Sequence, residues 1–238
     1  MCGRPWEPAA ILLSTVVCSP LCGHRGSTKP ERLMKWLVAT HNRDKFGEIQ
    51  VLFADLPVEL LNLDDFPDVG PVEESGTTLR ANALLKAHSV HRATGLPVIA
   101  DDTGLEVDAL NGAPGVYAAR YAGPRATYHQ NVEKLLTAMK HIPDHQRTAR
   151  FRTCATFVNG THELVASGVV EGFITREPLG DNGFGYDPVF RVSGTEQTFG
   201  QMTSAQKHQI SHRARAFRAL HELLSQTISI NENEETPA

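Results

Sequence analysis

The sequence predicts an α/β fold carrying an antiparallel hairpin, and three observations predict it. Short β-prone runs alternate with amphipathic helical stretches from residue 35 to about residue 142. Beyond that point the apolar period shortens to two, with Phe151, Thr153, Ala155 and Phe157 alternating with outward positions and Asn159-Gly160 supplying a hairpin turn. At 238 residues and 41% hydrophobic content, the chain is long enough to bury one sizeable core.

The elements follow in order. Leu37 to Thr40 is a first strand, and Phe46, Ile49, Leu52, Phe53 and Leu56 mark a helix that Pro57 ends. A second helix runs from about Thr78 to Ala93, stopped by Gly95 with Pro97 beyond, and Val98-Ile99-Ala100 reads as a buried strand. After a Gly- and Pro-rich loop from Asn111 to Pro124, Val132, Leu135, Leu136, Met139 and Ile142 mark a third helix closed by Pro143. Glu163 to Val170 is the returning strand of the hairpin. A last helix, from about Arg213 to Thr227, aligns Phe217, Leu220, Leu224 and Ile228, and residues 231–238 form a polar tail.

A formal net charge of −4, with no block of like charges, argues against a nucleic acid as the main partner. No apolar run reaches the roughly 18 residues of a membrane span. Cys2, Cys18 and Cys22 lie near the start, leaving Cys154 alone in the body, so no disulfide framework is expected and the body reads as cytoplasmic. Arg4 followed by the apolar run 9–17 has the outline of a short signal sequence. The reading preferred here is that Met34 begins the functional protein and that residues 1–33 are a non-native or disordered extension.

Four segments concentrate polar residues where a core has no use for them. Thr40-His41-Asn42-Arg43-Asp44-Lys45 joins the first strand to a helix N-terminus, where free backbone N–H groups, the helix dipole and a lysine suit a phosphate. Glu73-Glu74-Ser75-Gly76-Thr77-Thr78 places two carboxylates before the second helix. Asp101-Asp102-Thr103-Gly104 is expected at the carboxyl end of a buried strand, where two acids are costly unless paired or metal-bound and where few oxygen ligands suit Mg²⁺. Gly180-Asp181-Asn182-Gly183-Phe184-Gly185-Tyr186-Asp187-Pro188 sets an aromatic ring between glycines, able to lie against a flat ligand, and Lys207 with Ser211-His212-Arg213 adds donors at the last helix. Each segment alone also fits an ordinary cap, turn or solvated charge. Together they are the parts of one nucleotide site.

On those residues the chain resembles the inosine triphosphate pyrophosphatase (Ham1-like) family, in its bacterial XTP/dITP branch. The resemblance runs from Trp36 to about Leu224 and rests on Asp101 to Leu110, Gly112 to Gly123, Gly183 to Pro188 and Ser211-His212-Arg213. It implies a single catalytic domain over residues 34–230, an elongated mixed β-sheet flanked by helices, a homodimer, and cleavage of the α–β phosphoanhydride of ITP, dITP and XTP. It also implies that Thr40, His41, Asn42, Arg43, Asp44 and Lys45 grip the triphosphate. Asp102 would be the catalytic acidic residue that holds Mg²⁺ and activates water, with Glu74 or Glu73 a second metal contact. Thr103 would touch substrate, and Phe184, Gly185, Tyr186 and Asp187 with Lys207, His212 and Arg213 would hold base and sugar. The chain departs from the commonest family pattern at His41, Ala81, Thr103 and Asp181-Asn182; Ala81 can hold no metal, and His41 puts the loop geometry in question. A nucleotide sensor without turnover is disfavoured because Glu74, Asp101 and Asp102 are all present; a pyrophosphatase of broad specificity is the other enzymatic reading.

Overall fold

The computed structural model of the chain describes residues 33–234. Within them seven strands form one sheet: β1 (Met34–Val38), β2 (Val58–Asn62), β3 (Val98–Val107), β4 (Pro114–Gly115), β5 (Thr148–Val158), β6 (Glu163–Ile174) and β7 (Phe190–Val192). The order is β2-β1-β3-β5-β6-β7, with β4 paired to β3 off this path. Five α-helices accompany it: α1 (Arg43–Leu52), α2 (Leu79–Thr94), α3 (Tyr128–Ala138), α4 (Ser204–Ile210) and α5 (His212–Glu234). The expected mixed sheet is present, parallel across β2-β1-β3 and antiparallel from β3 to β7.

Side-chain alternation sorts the core into two faces. Leu37, Val98, Ala100 and Val158 pack against Ala87 and Val90 of α2. Trp36, Val38, Ile99, Ala155 and Phe157 point the other way, onto Ile49 and Phe53 and onto Phe217, Leu220 and Leu224 of α5. At the far end of the sheet Leu105, Val107, Phe151 and Phe190 meet Val132, Leu135 and Met139 from and beside α3.

Two expectations need correction. Val98-Ile99-Ala100 does not deliver the acids to a strand end: β3 continues through Asp101-Asp102-Thr103-Gly104 to Val107. It continues because β5 pairs with it antiparallel at every position from Val98 to Val107, a partner that local pattern does not reveal. Along its other edge β3 pairs with β1 only at Val98 and Ile99 and with β4 only at Leu105 and Glu106, so Asp101 to Gly104 border a gap between two strands. The first and third helices also end sooner than their apolar patterns suggest, at Leu52 and Ala138. Phe53, Met139 and Ile142 still reach the core from the turns that follow.

The sequence pattern gave no sign of β2, β7 or α4. At the C-terminus α5 runs on from the expected Thr227 to Glu234. The proposed N-terminal extension lies outside the described residues except for Leu33, as does the tail beyond Glu234.

Close packing of α5 on β6 sets where the start of α5 sits. A Cβ on Gly168 would collide with the backbone oxygen of His212 and the backbone nitrogen of Ala216. Gly168→Ala is therefore expected to cost about 2 to 3 kcal/mol as an overpacking change, read as a lower urea midpoint at unchanged m-value; a wild-type midpoint would mean that α5 is not held by this contact.

Candidate active site

Asp101 and Asp102 are neighbours in β3 that face opposite ways, and their surroundings differ accordingly. Asp101, 2% exposed, lies on the α1–α5 face. Lys45 Nζ is 3.3 Å from its Oδ2, Arg213 Nε donates to the same oxygen at 3.4 Å, and Thr103 Oγ1 donates to it at 3.1 Å. Burial alone would raise the Asp101 carboxyl, but Lys45 and Arg213 overrule it and hold the group well below the usual carboxylate range. Arg213, itself 2% exposed, also pairs with Glu48 and donates through Nη2 to Thr103 Oγ1 at 3.3 Å. Glu48 and Lys207 are 3.0 Å apart, so acids and cations alternate in a single buried network.

Asp102 faces α2. Its Oδ2 accepts from the buried Asn82 side chain at 3.1 Å, its Oδ1 accepts from the Thr103 backbone N–H at 3.0 Å, and Lys86 Nζ stands 3.8 Å away. Burial pushes the Asp102 carboxyl up, and Lys86 and Lys45 only partly offset it. Lys86 in turn bonds Glu74 at 2.8 Å, and Arg120 bonds the other Glu74 oxygen at 3.2 Å. The loop before α2 presents Glu74 to the cleft, while Glu73 is exposed outside it.

The N-terminus of α1 is capped by Asn42, whose Oδ1 accepts from the backbone N–H groups of Asp44 and Lys45 and whose Nδ2 donates to Tyr128 Oη at 2.9 Å. Thr40 Oγ1 accepts from the Asn42 N–H at 3.1 Å. His41 and Arg43 reach outward to Asp64, at 2.9 and 3.8 Å.

The glycine loop is organised by Asp187, whose carboxylate accepts from the Phe184 backbone N–H at 2.8 Å and from Lys207 Nζ at 2.7 Å. Gly183, at φ 75°, is required because that carboxylate fills the space its Cβ would need. Tyr186 is buried and donates to the Ala118 carbonyl at 2.9 Å. His212 stacks on Phe151, with centroids 4.5 Å apart, and its Nδ1 has no hydrogen-bond partner among the described residues. Burial and then the charges of Arg213 and Lys207 push its pKa well down, so the ring is neutral.

One cleft gathers Asn42, Lys45, Glu74, Asp102, Thr103, Phe184 to Asp187, Lys207, His212 and Arg213. Of the first segment, Arg43 and Asp44 instead line an adjoining depression behind Phe184 and Lys207. Sequence reasoning missed Glu48, Asn82, Lys86, Arg120 and Tyr128. Helical spacing puts Asn82 and Lys86 on one face of α2, four residues apart, which is a signal only once that face is known to meet Asp102.

Asp101→Asn leaves Lys45 and Arg213 without their shared carboxylate and is expected to cost about 3 to 5 kcal/mol at neutral pH. Because the native carboxyl is depressed, its stabilisation is complete above the unfolded value near 4 and fades as pH falls below it. The gap in unfolding free energy between wild type and variant should thus narrow from about pH 4 to about pH 2; a constant gap would mean that ionisation of Asp101 is not what the variant removes.

The family model described as "Ham1 family" matches residues 36–223. A dITP/XTP pyrophosphatase of Thermoanaerobacter pseudethanolicus is 44% identical over 187 residues, 79% of this chain and 94% of that protein. One from Shigella flexneri is 44% identical over 191 residues, covering 79% and 96%. Among solved structures, a HAM1 protein from Coxiella burnetii superposes with a TM-score of 0.75 at 38% identity, over 82% of this chain and all of that one. The Staphylococcus aureus Ham1 protein gives 0.73 at 37%, covering 81% and 99%. With the match spanning nearly the whole described body and the cleft residues inside it, this chain belongs to the Ham1 family.

Proposed function

We propose that the protein hydrolyses ITP, dITP and XTP to the nucleoside monophosphate and pyrophosphate, removing non-standard purine nucleotides from the pool. The observation that carries this reading is the sorting of charge in the cleft. Asp101 is tied up by Lys45 and Arg213, whereas Asp102 and Glu74 line the cleft beside Lys45 and an aromatic loop. The relatives named dITP/XTP pyrophosphatase give the substrate class.

A divalent ion fits this donor set. Among the described residues no group of three or more His, Cys, Asp or Glu side chains is placed to hold a metal. Two carboxylates from different elements, Asp102 and Glu74, share the cleft, and that suits Mg²⁺, which keeps most of its water and shares substrate phosphate oxygens. When bound, Mg²⁺ would neutralise phosphate charge and lower the pKa of water. The chain's own residues do the rest. Asn42 and Lys45, which line the cleft at the N-terminus of α1, hold the phosphates, and Lys86, bonded to Glu74, keeps its charge despite burial because Asp102, Asp101 and Glu74 surround it. Asp102, oriented by Asn82 and the Thr103 N–H, takes a proton from water as the water oxygen bonds to the α-phosphorus. The bond from that phosphorus to the bridging oxygen breaks, and pyrophosphate leaves with the oxygen.

For the base, Lys207 and Arg213 line the cleft while bonded to acids. Each still has N–H groups beyond those bonds, which suit the oxygen at C6 of hypoxanthine or xanthine; an amino group there would leave them unpaired. The neutral ring of His212 also lines the cleft, its buried Nδ1 without a partner among the described residues. The same reading takes the protein as a cytoplasmic homodimer. Cys154 is free and buried, and no described helix is long and apolar enough to cross a membrane.

Hydrolysis of dITP, XTP, dATP, dGTP and dTTP with Mg²⁺ tests the proposal, separating pyrophosphate from orthophosphate. Pyrophosphate from dITP and XTP at about 100-fold the rate of the other three, or roughly 2.7 kcal/mol, is expected. Activity should vanish with a chelator and in Asp102→Asn. Since burial raises the Asp102 pKa, kcat/KM should climb with pH through that ionisation. Orthophosphate as sole product, or equal rates on all five, would overturn the assignment.

A further inference from the structure

We propose that Tyr128 contacts the nucleoside half of the substrate, closing on the base and sugar from the side opposite Phe184. The inference rests on the function proposed above. Tyr128 opens α3 and is 45% exposed, a large aromatic side chain left half in solvent although it borders the cleft. Such a ring at the mouth of a cleft invites a flat ligand.

Its two ends meet the two functional halves of the site. The hydroxyl accepts a hydrogen bond from Asn42 Nδ2 at 2.9 Å, and Asn42 caps the N-terminus of α1, the end assigned to the phosphates in the function proposed above. The ring lies 6.0 Å from that of Phe184, at an interplanar angle of 35°. In a nucleoside triphosphate the sugar likewise lies between phosphates and base, so a side chain spanning these points runs alongside the sugar and the edge of the base. The chain of contacts is continuous, from the N-terminus of α1 through Asn42, Tyr128 and Phe184 to Asp187 and Lys207.

The spacing gives a further constraint. A flat base held between two rings needs about 7 Å between them, two contacts of about 3.5 Å, so rings whose centroids lie 6.0 Å apart must open by at least about 1 Å. Tyr128 can supply that by turning its exposed side chain. Nothing lies within 4 Å of where a Cβ of Gly185, next to Phe184, would stand.

The test compares Tyr128→Ala, Tyr128→Leu and Tyr128→Phe with wild type, using dITP as substrate and inorganic tripolyphosphate as a competitive probe that lacks a nucleoside. Wild-type release of pyrophosphate from dITP is measured first, so failure of the proposed function shows separately. Loss of the ring in the Ala and Leu variants should raise KM for dITP about 10-fold or more with kcat nearly unchanged, in the range of a lost base-stacking contact. The inhibition constant of tripolyphosphate should move by less than about twofold, and the Phe variant should stay near wild type on both readouts. Unchanged KM in the Ala and Leu variants would overturn the proposal. So would a parallel rise of KM and of the tripolyphosphate constant, because Tyr128 would then act only on the phosphate loop through Asn42.

Discussion

Desolvation of Asp101 and Arg213 is the constraint around which the site is arranged. Each is only 2% exposed, and neither charge is tolerable there alone. Their neutralisation draws in Lys45 and Glu48 from α1 and, through Glu48, Lys207 from α4. The network thereby fixes β3, α1, α4 and the start of α5 relative to one another. Lys207 then holds Asp187, and Asp187 shapes the loop that presents Phe184. Lys45 at one end of the cleft and the Phe184 loop at the other are thus joined by one set of charges.

The adjacent acids divide two tasks by the simplest property of a strand, alternation. Asp101 falls among cations and is held ionised, so it serves the architecture; Asp102 falls among Asn82, Lys86 and the cleft, where burial raises its proton affinity. A one-residue shift of register between β3 and β5 would exchange these environments. The eleven paired positions of β5 and β6, together with the full-length β3–β5 ladder, oppose such a slip.

Much of this was legible in the sequence because it depends on local spacing. The α1 N-terminus, the Gly95 stop of α2, the Asn159-Gly160 hairpin and the glycine loop each carry turn or cap chemistry that needs no partner to be recognised. The acids of β3 drew notice as a costly pair, but their place in mid-strand depended on β5, about 50 residues away. Glu48 and Lys86 look like ordinary surface residues of amphipathic helices until the facing strand is known. The strand β2 is likewise invisible, because Val58–Asn62 becomes a strand by pairing with β1 rather than by its own pattern. As for the expected phosphate grip, the structure brings Asn42 and Lys45 to the cleft and directs His41 and Arg43 toward Asp64.

The pairing of Glu48 with Arg213 spans 165 residues of chain. Long-range closures of this kind form late in folding, since the loop entropy must be overcome before the contact is gained. During synthesis, α1 and β3 leave the ribosome with their buried acids and Lys45 well before Arg213 exists to complete the set. The nascent chain therefore carries an unfinished, hydrated polar seam, which closes only when the last helix docks. Maturation of the cleft is in this way made to wait for the synthesis of α5, and a chain cut short before α5 has no route to a dry, competent site.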